Sequence, residues 1–527
     1  MLSCLVLQVL IIILERRFGN SQNVTVVMMM MIRDEEENVR ANLGKWERIV
    51  DYLVCGVDER TKDGSGRTVA EIIGHKPHWI FYFRFENFGQ GRTVVLREAW
   101  RKFSHASHAL IIDPDWLPIE KTLIKDQLDF EHRKFSFLVY DRNGLTTRNV
   151  AWLIRHEEGL EFRYRLHEVL VLPKNSIYNT TNLRMLSWQV KEVEVKGRRT
   201  WHTTEHGNAT NVGHSMSYKR YLRDLDLLYL DLEELGPNDP HTLYYLGATH
   251  LACIDAILGV GFHKLTEQVL YHINQGIFYL EQRVQPNIID LANRIGGNSE
   301  ETWAAVRWLA HSYHNYKRDY NKAHYWYKKC HEMDPLRVDC ATFHASLYRT
   351  SGDYTSAWNS ILIPLQFDFT DGQRTFAHNF YIYNCTLPLE ASLILLPLLE
   401  AQKPHEKHFL DQTGIPGIPI SNWLILLAFG RRLLLHAETT CIDPSRKFIS
   451  AQPEDVEQAH HRYDSLQEYV TSAQGPDITS RCLQHQSAFA AANYDPNHLA
   501  MLVRWGLHIC DDADTDNSSS RKRRDEL

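Results

Sequence analysis

The feature that most constrains the fold is an alternation of short apolar runs with helical stretches between Asn23 and about Gln189. Four of the runs are typical of strands: Val24–Ile32, Asp51–Val57, Trp79–Phe85 and Ala109–Ile112. The first has no polar alternation, which indicates a central strand buried on both faces. The pattern therefore predicts an α/β domain.

Acidic residues follow three of these predicted strands. Asp34 follows the first, Asp58 the second, and Asp113-Pro114-Asp115 the fourth. In open α/β sheets, ligands bind beyond the carboxyl ends of the strands. We therefore expect the site at that edge of the sheet.

The Asp113-Pro114-Asp115 sequence is the most specific of these signals. In an extended segment residues i and i+2 point the same way, so both carboxylates can converge on one point. Such a pair suits Mg²⁺ or Mn²⁺, usually together with a substrate phosphate. Other Asp-x-Asp pairs occur in a helical pattern and in an acidic tail, at 224/226, 512/514 and 514/516.

Each motif also has a structural interpretation. Asp34 can cap the helix that follows it, with Glu37 as its reciprocal partner. Asp58 can be a simple turn residue, and Arg92 a surface arginine at a helix start. Spacing alone does not separate these alternatives.

Composition excludes several classes of protein. The net charge of −7 argues against a general nucleic-acid binder. The common Gly-rich nucleotide-binding loops are absent from the sequence. The nine cysteines form no Cys-x-x-Cys pair, which argues against zinc or iron–sulfur sites and predicts mostly buried thiols.

The two ends carry localisation signals that do not agree fully. Leu2–Leu14 has the length of a signal-peptide apolar region, but its positive charges follow it. The final Arg524-Asp525-Glu526-Leu527 resembles an ER-retention address. These features favour the ER lumen or secretory pathway, with a cytoplasmic location as the alternative.

From about Tyr218 the pattern becomes helical. Ala323, Tyr327, Cys330 and Pro335 have the spacing of a tetratricopeptide (TPR) second helix, and Ala345, Tyr348 and Ala357 fit the next unit. A generic helical bundle is the alternative. The predicted organisation is an apolar segment at 1–22, the α/β domain at 23–215, TPR-like repeats at 216–400, a helical region at 401–510 and a charged, disordered tail at 511–527.

The ordered motifs resemble those of family 2 glycosyltransferases with the GT-A fold, and more narrowly members with C-terminal tetratricopeptide repeats. The resemblance rests on Arg33-Asp34-Glu35-Glu36, Asp58 with Asp63-Gly64-Ser65, Asn87-Phe88-Gly89-Gln90-Gly91-Arg92, and Ile111-Ile112-Asp113-Pro114-Asp115. It implies a Rossmann-like nucleotide-sugar-binding α/β domain followed by an all-α repeat domain. It also implies a nucleotide-diphosphate sugar donor, Mn²⁺ or Mg²⁺, and transfer with inversion.

The resemblance assigns roles residue by residue. Asp34, Glu35 and Asp58 would line the nucleoside pocket, and Asp113 and Asp115 would hold the metal and the donor diphosphate. Two later stretches, Trp152-Leu153-Ile154-Arg155 and Arg163-Tyr164-Arg165-Leu166-His167-Glu168, resemble the family's arginine-rich segment ending in His-Glu. Glu168 is then the candidate base and His167 a metal or diphosphate ligand, with the donor-binding arginines at Arg92, Arg155, Arg163 and Arg165.

Two departures from the family pattern concern Thr93, where the family commonly has Asn, and a longer loop after Asp58. Periodicity alone would make 163–168 a half-exposed strand with a surface histidine.

The sequence thus predicts a metal-dependent glycosyltransferase, with hexosyl transfer from a UDP-sugar expected. The acceptor would be a protein, a peptide or a glycan, the repeats would bind a protein partner, and no nucleic acid is expected. The main alternative is an inactive GT-A/TPR scaffold that acts as an interaction module. A metal-dependent nucleotidyltransferase is disfavoured because acids replace the Gly-rich basic loop after the first strand.

Overall fold

The computed structural model describes ten segments of the chain and divides them into two compact units. The first unit contains the described residues up to 236, apart from 146–148, together with 293 and 294, and the second contains the others. The described segments are 23–141, 146–171, 183–193, 218–258, 266–294, 299–366, 378–379, 382–401, 423–441 and 453–474. The predicted apolar segment 1–22 and charged tail 511–527 lie outside them.

The first unit is built on a mixed sheet of eight principal strands in the order β3-β2-β1-β4-β7-β6-β10-β5. Strands β1 to β4 are mutually parallel, and β7 runs antiparallel to β4. Strands β8 and β9 form a separate antiparallel pair. The strands are β1 Val26–Ile32, β2 Tyr52–Asp58, β3 His78–Phe83, β4 His108–Ile111, β5 Trp116–Pro118, β6 Lys134–Tyr140, β7 Thr146–Arg155, β8 Glu161–Arg163, β9 Val169–Val171 and β10 Leu183–Glu192.

Strand β1 is central, as its sequence predicts. It pairs with β2 on one side and β4 on the other. Because side chains alternate along a strand, Val26 and Met28 enter one hydrophobic cluster while Val27 and Met29 enter another on the opposite face. The continuous apolar run therefore fills both layers of the core.

The helices of the first unit pack on this sheet or follow it in the chain. They are α1 Glu36–Asn42, α2 Ser65–Ile73, α3 Phe88–Lys102 and α4 Tyr218–Leu235, and a 3₁₀ turn at Leu43–Trp46 extends α1. Helix α4 is anchored to the segment after β8, since Arg165 pairs with its Asp231. The sheet unit consequently extends beyond the boundary expected at residue 215.

The second unit is helical over most of its described residues, and its successive helices pack against one another. Its helices are α5 Pro240–Leu258, α6 Glu267–Arg283, α7 Pro286–Arg294, α8 Ser299–Ser312, α9 Tyr320–Met333, α10 Val338–Thr350, α11 Tyr354–Ile361, α12 Leu387–Ala401, α13 Trp423–Cys441 and α14 Pro453–Gln474. Helices α5 and α6 approach closely at glycines: a Cβ on Gly247 would lie 2.5 Å from Cγ of Leu280. This gives the coarse fold expected, an α/β domain followed by a helical region.

The small and aromatic positions that suggested repeats are core positions. Ala323, Tyr327 and Cys330 are fully buried on α9, and Ala345 and Ala357 are fully buried on α10 and α11. Helix α9 ends at Met333, just before Pro335. Paired helices with buried small residues are thus present.

The cysteine prediction is wrong in part. Cys55 and Cys253 are buried thiols, but Cys330 and Cys340 form a disulfide with a Cα–Cα distance of 6.0 Å. Cys385 is disulfide-bonded as well. The sequence spacing missed the first bond because its partners face each other only once α9 and α10 pack together.

None of the described helices is both long enough and apolar enough to cross a membrane.

Candidate functional site

The carboxyl ends of β1, β2 and β4 lie at one edge of the sheet. In the parallel register Ile32 stands beside Val57, and Met29 stands beside Ile111. Asp34, Asp58 and Asp113 therefore follow neighbouring strands at the same edge, as the sequence predicts. This edge is where open α/β sheets bind ligands.

The Asp113–Asp115 loop is held by hydrogen bonds from the α1 region. Asn42 Nδ2 donates to the Pro114 carbonyl at 3.0 Å, and Trp46 Nε1 donates to the Trp116 carbonyl at 3.2 Å. The Trp116 N–H closes the loop by donating to the Asp113 carbonyl at 3.1 Å. Backbone contacts thus fix the loop that carries the two aspartates.

Arg92 joins two of the predicted site residues. Its Nη2 donates to Asp113 Oδ1 at 3.1 Å, and its Nε donates to Glu168 Oε1. The Arg92 side chain is 5% exposed and that of Glu168 9%, whereas Asp113 is 35% exposed. Because burial opposes the charged guanidinium but both acids favour it, the pKa of Arg92 lies above its ordinary value. We call Asp113, Asp115, Arg92 and Glu168 the strand-end cluster.

The start of α3 is bound closely to the segment that carries Glu168. Asn87 caps the helix through a 2.8 Å bond from the Gln90 N–H. A Cβ on Gly89 would lie 2.3 Å from the Tyr164 carbonyl oxygen, so only glycine allows this approach. Thr93, the departure from the family pattern, accepts a 2.8 Å bond from the Phe162 N–H and is thereby part of the same junction.

The 164–168 segment has unusual backbone geometry. Tyr164 and His167 adopt positive φ angles of 75° and 56°. Non-glycine residues in this region cost roughly 1–3 kcal/mol each, and such strain is concentrated at functional sites. The turn directs the side chain of Glu168 onto Arg92, while His167 is exposed.

Glu35 is a buried acid beside the cluster. It is 6% exposed, and its Oε2 accepts a 2.6 Å bond from Asn38 Nδ2. The pKa of Glu35 is raised to about 8, mainly by burial and in addition by the charges of Asp115 and Asp113, while the Asn38 hydrogen bond opposes the rise. Glu35 is thus mainly protonated at neutral pH.

The other predicted nucleoside-pocket acids are engaged by the loop after β2. The Arg60 guanidinium forms a hydrogen-bonded ion pair with the buried Asp58 carboxylate, in which Nη2 donates to Oδ2 at 2.7 Å. Burial acts to raise the pKa of Asp58, but the Arg60 hydrogen bonds and charge outweigh it and lower the pKa. Asp34 has a positive φ of 53° and accepts a 2.6 Å bond from the Lys62 N–H, and the residue that precedes α1 directly is Glu35. The interpretation of Asp34 as the helix cap is therefore wrong.

The remaining arginines fall in different places. Arg165 bonds Asp231 Oδ1 and Glu234 Oε2, both at 2.6 Å, so its guanidinium anchors α4. Arg155 stands beside His108 in the register of β7 and β4. His108 begins β4, so Arg155 lies about 16 Å along the strand direction from Asp113. The structure thus does not bring Arg155 to the strand-end cluster. Arg163 ends β8 opposite Val169, close in sequence to Glu168.

The acids at the edge suit a metal that shares a substrate phosphate. Within the described residues there is no group of three or more His, Cys, Asp or Glu side chains arranged to hold a metal ion. Mg²⁺ usually takes one or two protein carboxylates and completes its shell with water and substrate phosphate. Asp113 and Asp115 fit that role as a pair, and their charge is part of what keeps Glu35 protonated.

Two tryptophans lie against the site, and the sequence motifs that contain them predict no role for either. The Arg92 guanidinium carbon lies 4.1 Å from the ring centroid of Trp152. Trp152 stacks on Trp116 with centroids 5.0 Å apart and planes 15° apart. The signal was weak because a tryptophan in an apolar strand is usually a core residue.

Comparison with protein-family models finds no match for this chain. A search of curated proteins also finds no significant match.

Proposed function

We propose that the chain is a glycosyltransferase of the GT-A type that moves a sugar from a nucleotide-diphosphate donor with inversion at the anomeric carbon. The observation that carries the proposal is the Arg92 bridge between Asp113 and Glu168 at the carboxyl edge of the sheet. Through this bridge Asp113, a candidate metal ligand, lies close to Glu168, the candidate base. An inverting transfer needs both groups close together.

Each side chain has a defined task in this reaction. The Glu168 carboxylate accepts the proton of the acceptor nucleophile as that nucleophile forms its bond to the anomeric carbon. The bond from that carbon to the diphosphate oxygen breaks, and the electron pair leaves with the nucleoside diphosphate. Mn²⁺ or Mg²⁺ bound by Asp113 and Asp115 would supply Lewis-acid stabilisation of the leaving diphosphate.

The substrates follow from the same proposal. We expect a UDP-sugar donor and hexosyl transfer, with Asp34 and Arg163 contacting the nucleotide. Asp58 would shape its pocket through the Arg60 pair. His167, exposed next to Glu168, is positioned for the diphosphate or the metal. The helical unit would bind the acceptor, a protein, a peptide or a glycan, or a protein partner.

A donor-hydrolysis assay tests the proposal. A panel of nucleotide sugars with Mn²⁺ should show turnover by the wild-type chain. Asp115→Ala should reduce it at least 100-fold, and Glu168→Gln should reduce it 10²–10⁴-fold, the range of general-base catalysis. Asp126→Ala is the matched control, since Asp126 is an exposed acid in a 3₁₀ turn of the same unit.

The outcomes separate an enzyme from a scaffold. Unchanged turnover in Asp115→Ala would contradict the metal assignment. No turnover with any donor, together with no thermal stabilisation by nucleoside diphosphates and Mn²⁺, would favour the interaction module instead.

A further inference from the structure

Trp152 lies beside the strand-end cluster, although the sequence motif that contains it predicts no role for this residue. In the antiparallel register of β4 and β7, Leu153 stands beside Leu110, so Trp152 comes level with Ile111, the last residue of β4. Asp113 is only two residues further along the chain. The ring is therefore at the carboxyl edge, partly buried between the two faces of the core.

The indole ring of Trp152 contacts Arg92 and the loop that carries Asp113 and Asp115. It stacks on Trp116, which directly follows Asp115, with a centroid distance of 5.0 Å. It also lies 4.1 Å from the guanidinium carbon of Arg92, the residue bonded to Glu168. The metal-type acids and the base are thus connected through a single aromatic side chain.

We propose that Trp152 is a positioning residue, whose ring fixes the Arg92 guanidinium against the Asp113–Trp116 loop and so sets the place of Glu168 relative to the donor. This inference rests on the proposed glycosyltransferase activity. The Arg92 side chain has several rotatable bonds, and its guanidinium is held in the plane of the cluster by two ion pairs. The Trp152 ring supports the guanidinium from its face, which adds a favourable cation–π contact and a third restraint on its position.

The inference predicts a split between the kinetic constants. A displacement of about 1 Å at a reacting group can cost roughly 100-fold in rate. Trp152→Leu should therefore lower kcat about 10- to 100-fold while the donor KM stays within about threefold, because the carboxylates that hold the metal are untouched. Trp152→Phe keeps an aromatic face and should recover most of kcat.

Trp79 offers a matched control on the same sheet. It is also partly buried and also carries a cation, with Lys102 Nζ 3.5 Å from its ring centroid, but it is on β3 under α3 and not at the cluster. Trp79→Leu and Trp79→Phe should leave kcat within about threefold of wild type. If Trp152→Leu does not fold, Trp152→Phe is compared in the wild-type and Arg92→Lys backgrounds, and its effect on kcat should shrink in the second.

The results distinguish the two proposals. A wild-type chain without donor turnover overturns the proposed function and this inference with it. An active wild type in which Trp152→Leu keeps full kcat, or changes only KM, overturns the inference alone. The inference is also overturned if Trp152→Phe lowers kcat as much as Trp152→Leu does, or if the Trp79 variants lower kcat to the same extent. In the Arg92→Lys background, an unchanged effect of Trp152→Phe on kcat would overturn it as well.

Discussion

At the scale of single residues, the strand-end cluster brings several acids close together. Arg92 is the cation bonded to two of its carboxylates, those of Asp113 and Glu168. The neighbouring Glu35 is buried, and this burial is the main reason that its pKa is raised, with the charges of Asp115 and Asp113 adding to it. Under the proposed function, a divalent cation bound by Asp113 and Asp115 would reduce the negative charge at this edge of the sheet.

Glu35 makes stability depend on pH in a predictable direction. Its pKa rises from 4.5 to about 8 in the folded state, so the folded chain holds one more proton between these values. The stabilisation that this proton gives to the folded state is fully present below about pH 4.5 and is lost as pH rises towards 8. Over that range the free energy of unfolding falls by roughly 1.4 kcal/mol per pH unit. Glu35→Gln, which cannot ionise, should flatten this part of the profile in urea unfolding measured without divalent cations.

Glu36→Gln is the control for that prediction. Glu36 is the next acid in the sequence, but the Gly64 N–H and Arg40 lower its pKa instead of raising it. Its variant should keep the downward slope between pH 5 and 8. If Glu35→Gln shows the same slope as the wild type, the side chain ionises normally in the folded state.

The sequence predicted which residues lie at the site only where the residues follow parallel strands, since the direction of the later strands is not visible in the sequence. Asp113 and Arg92 come together because they follow β4 and β3, parallel strands whose carboxyl ends lie at one edge. Glu168 reaches them from the turn between β8 and β9. Arg155 does not meet them, because β7 is antiparallel to β4 and so places that residue at the other end. Arg165 donates a hydrogen bond to Asp231, which lies 66 residues later in the chain, so the sequence alone does not predict this pair.

At the scale of elements, the strands with short, clearly bounded apolar runs were the easier ones to predict. The first four predicted strands all exist, and their ends agree to within about two residues. The later strands β6 to β10 and the pairing of β10 with both β6 and β5 were not predicted. Their order depends on tertiary pairing across long loops, which local periodicity does not contain.

The disulfide between α9 and α10 should stabilise the helical unit. Cys330 and Cys340 are both fully buried and enclose a short loop of the chain. Loop-closure entropy gives about 3 kcal/mol for a loop of this size as an order of magnitude. The double variant Cys330→Ala/Cys340→Ala should lower the free energy of unfolding by up to that amount in urea titrations.

Cys253→Ala is the comparison variant for the disulfide. Cys253 is a fully buried cysteine of the same unit that is not disulfide-bonded, so its replacement removes local contacts but no cross-link. Adding a reductant should leave the difference between this variant and the wild type unchanged. It should reduce the difference between the wild type and the double variant. A double variant as stable as the wild type would show that the bond adds nothing beyond the packing of α9 on α10.

At the scale of the whole molecule, each unit has its own hydrophobic cores. The clusters around β1 contain residues of the first unit, and those around α9 and α13 contain residues of the second. A ligand bound at the carboxyl edge of the sheet should therefore stabilise a definable part of the chain. Binding to the native state alone adds about 2.7 kcal/mol at a hundredfold excess over Kd.

Hydrogen exchange across the whole chain can locate that part. With UDP and Mn²⁺, peptides covering residues 33–36, 92–96, 113–118 and 164–168 should exchange more slowly, because the ligand bridges the segments that form the strand-end cluster. Peptides from α5, α6 and α9 to α11 should keep their rates. In Asp115→Ala the protection should disappear, whereas in Asp126→Ala it should persist. Slower exchange confined to the helical peptides would place the nucleotide in the second unit and contradict the site at the sheet edge.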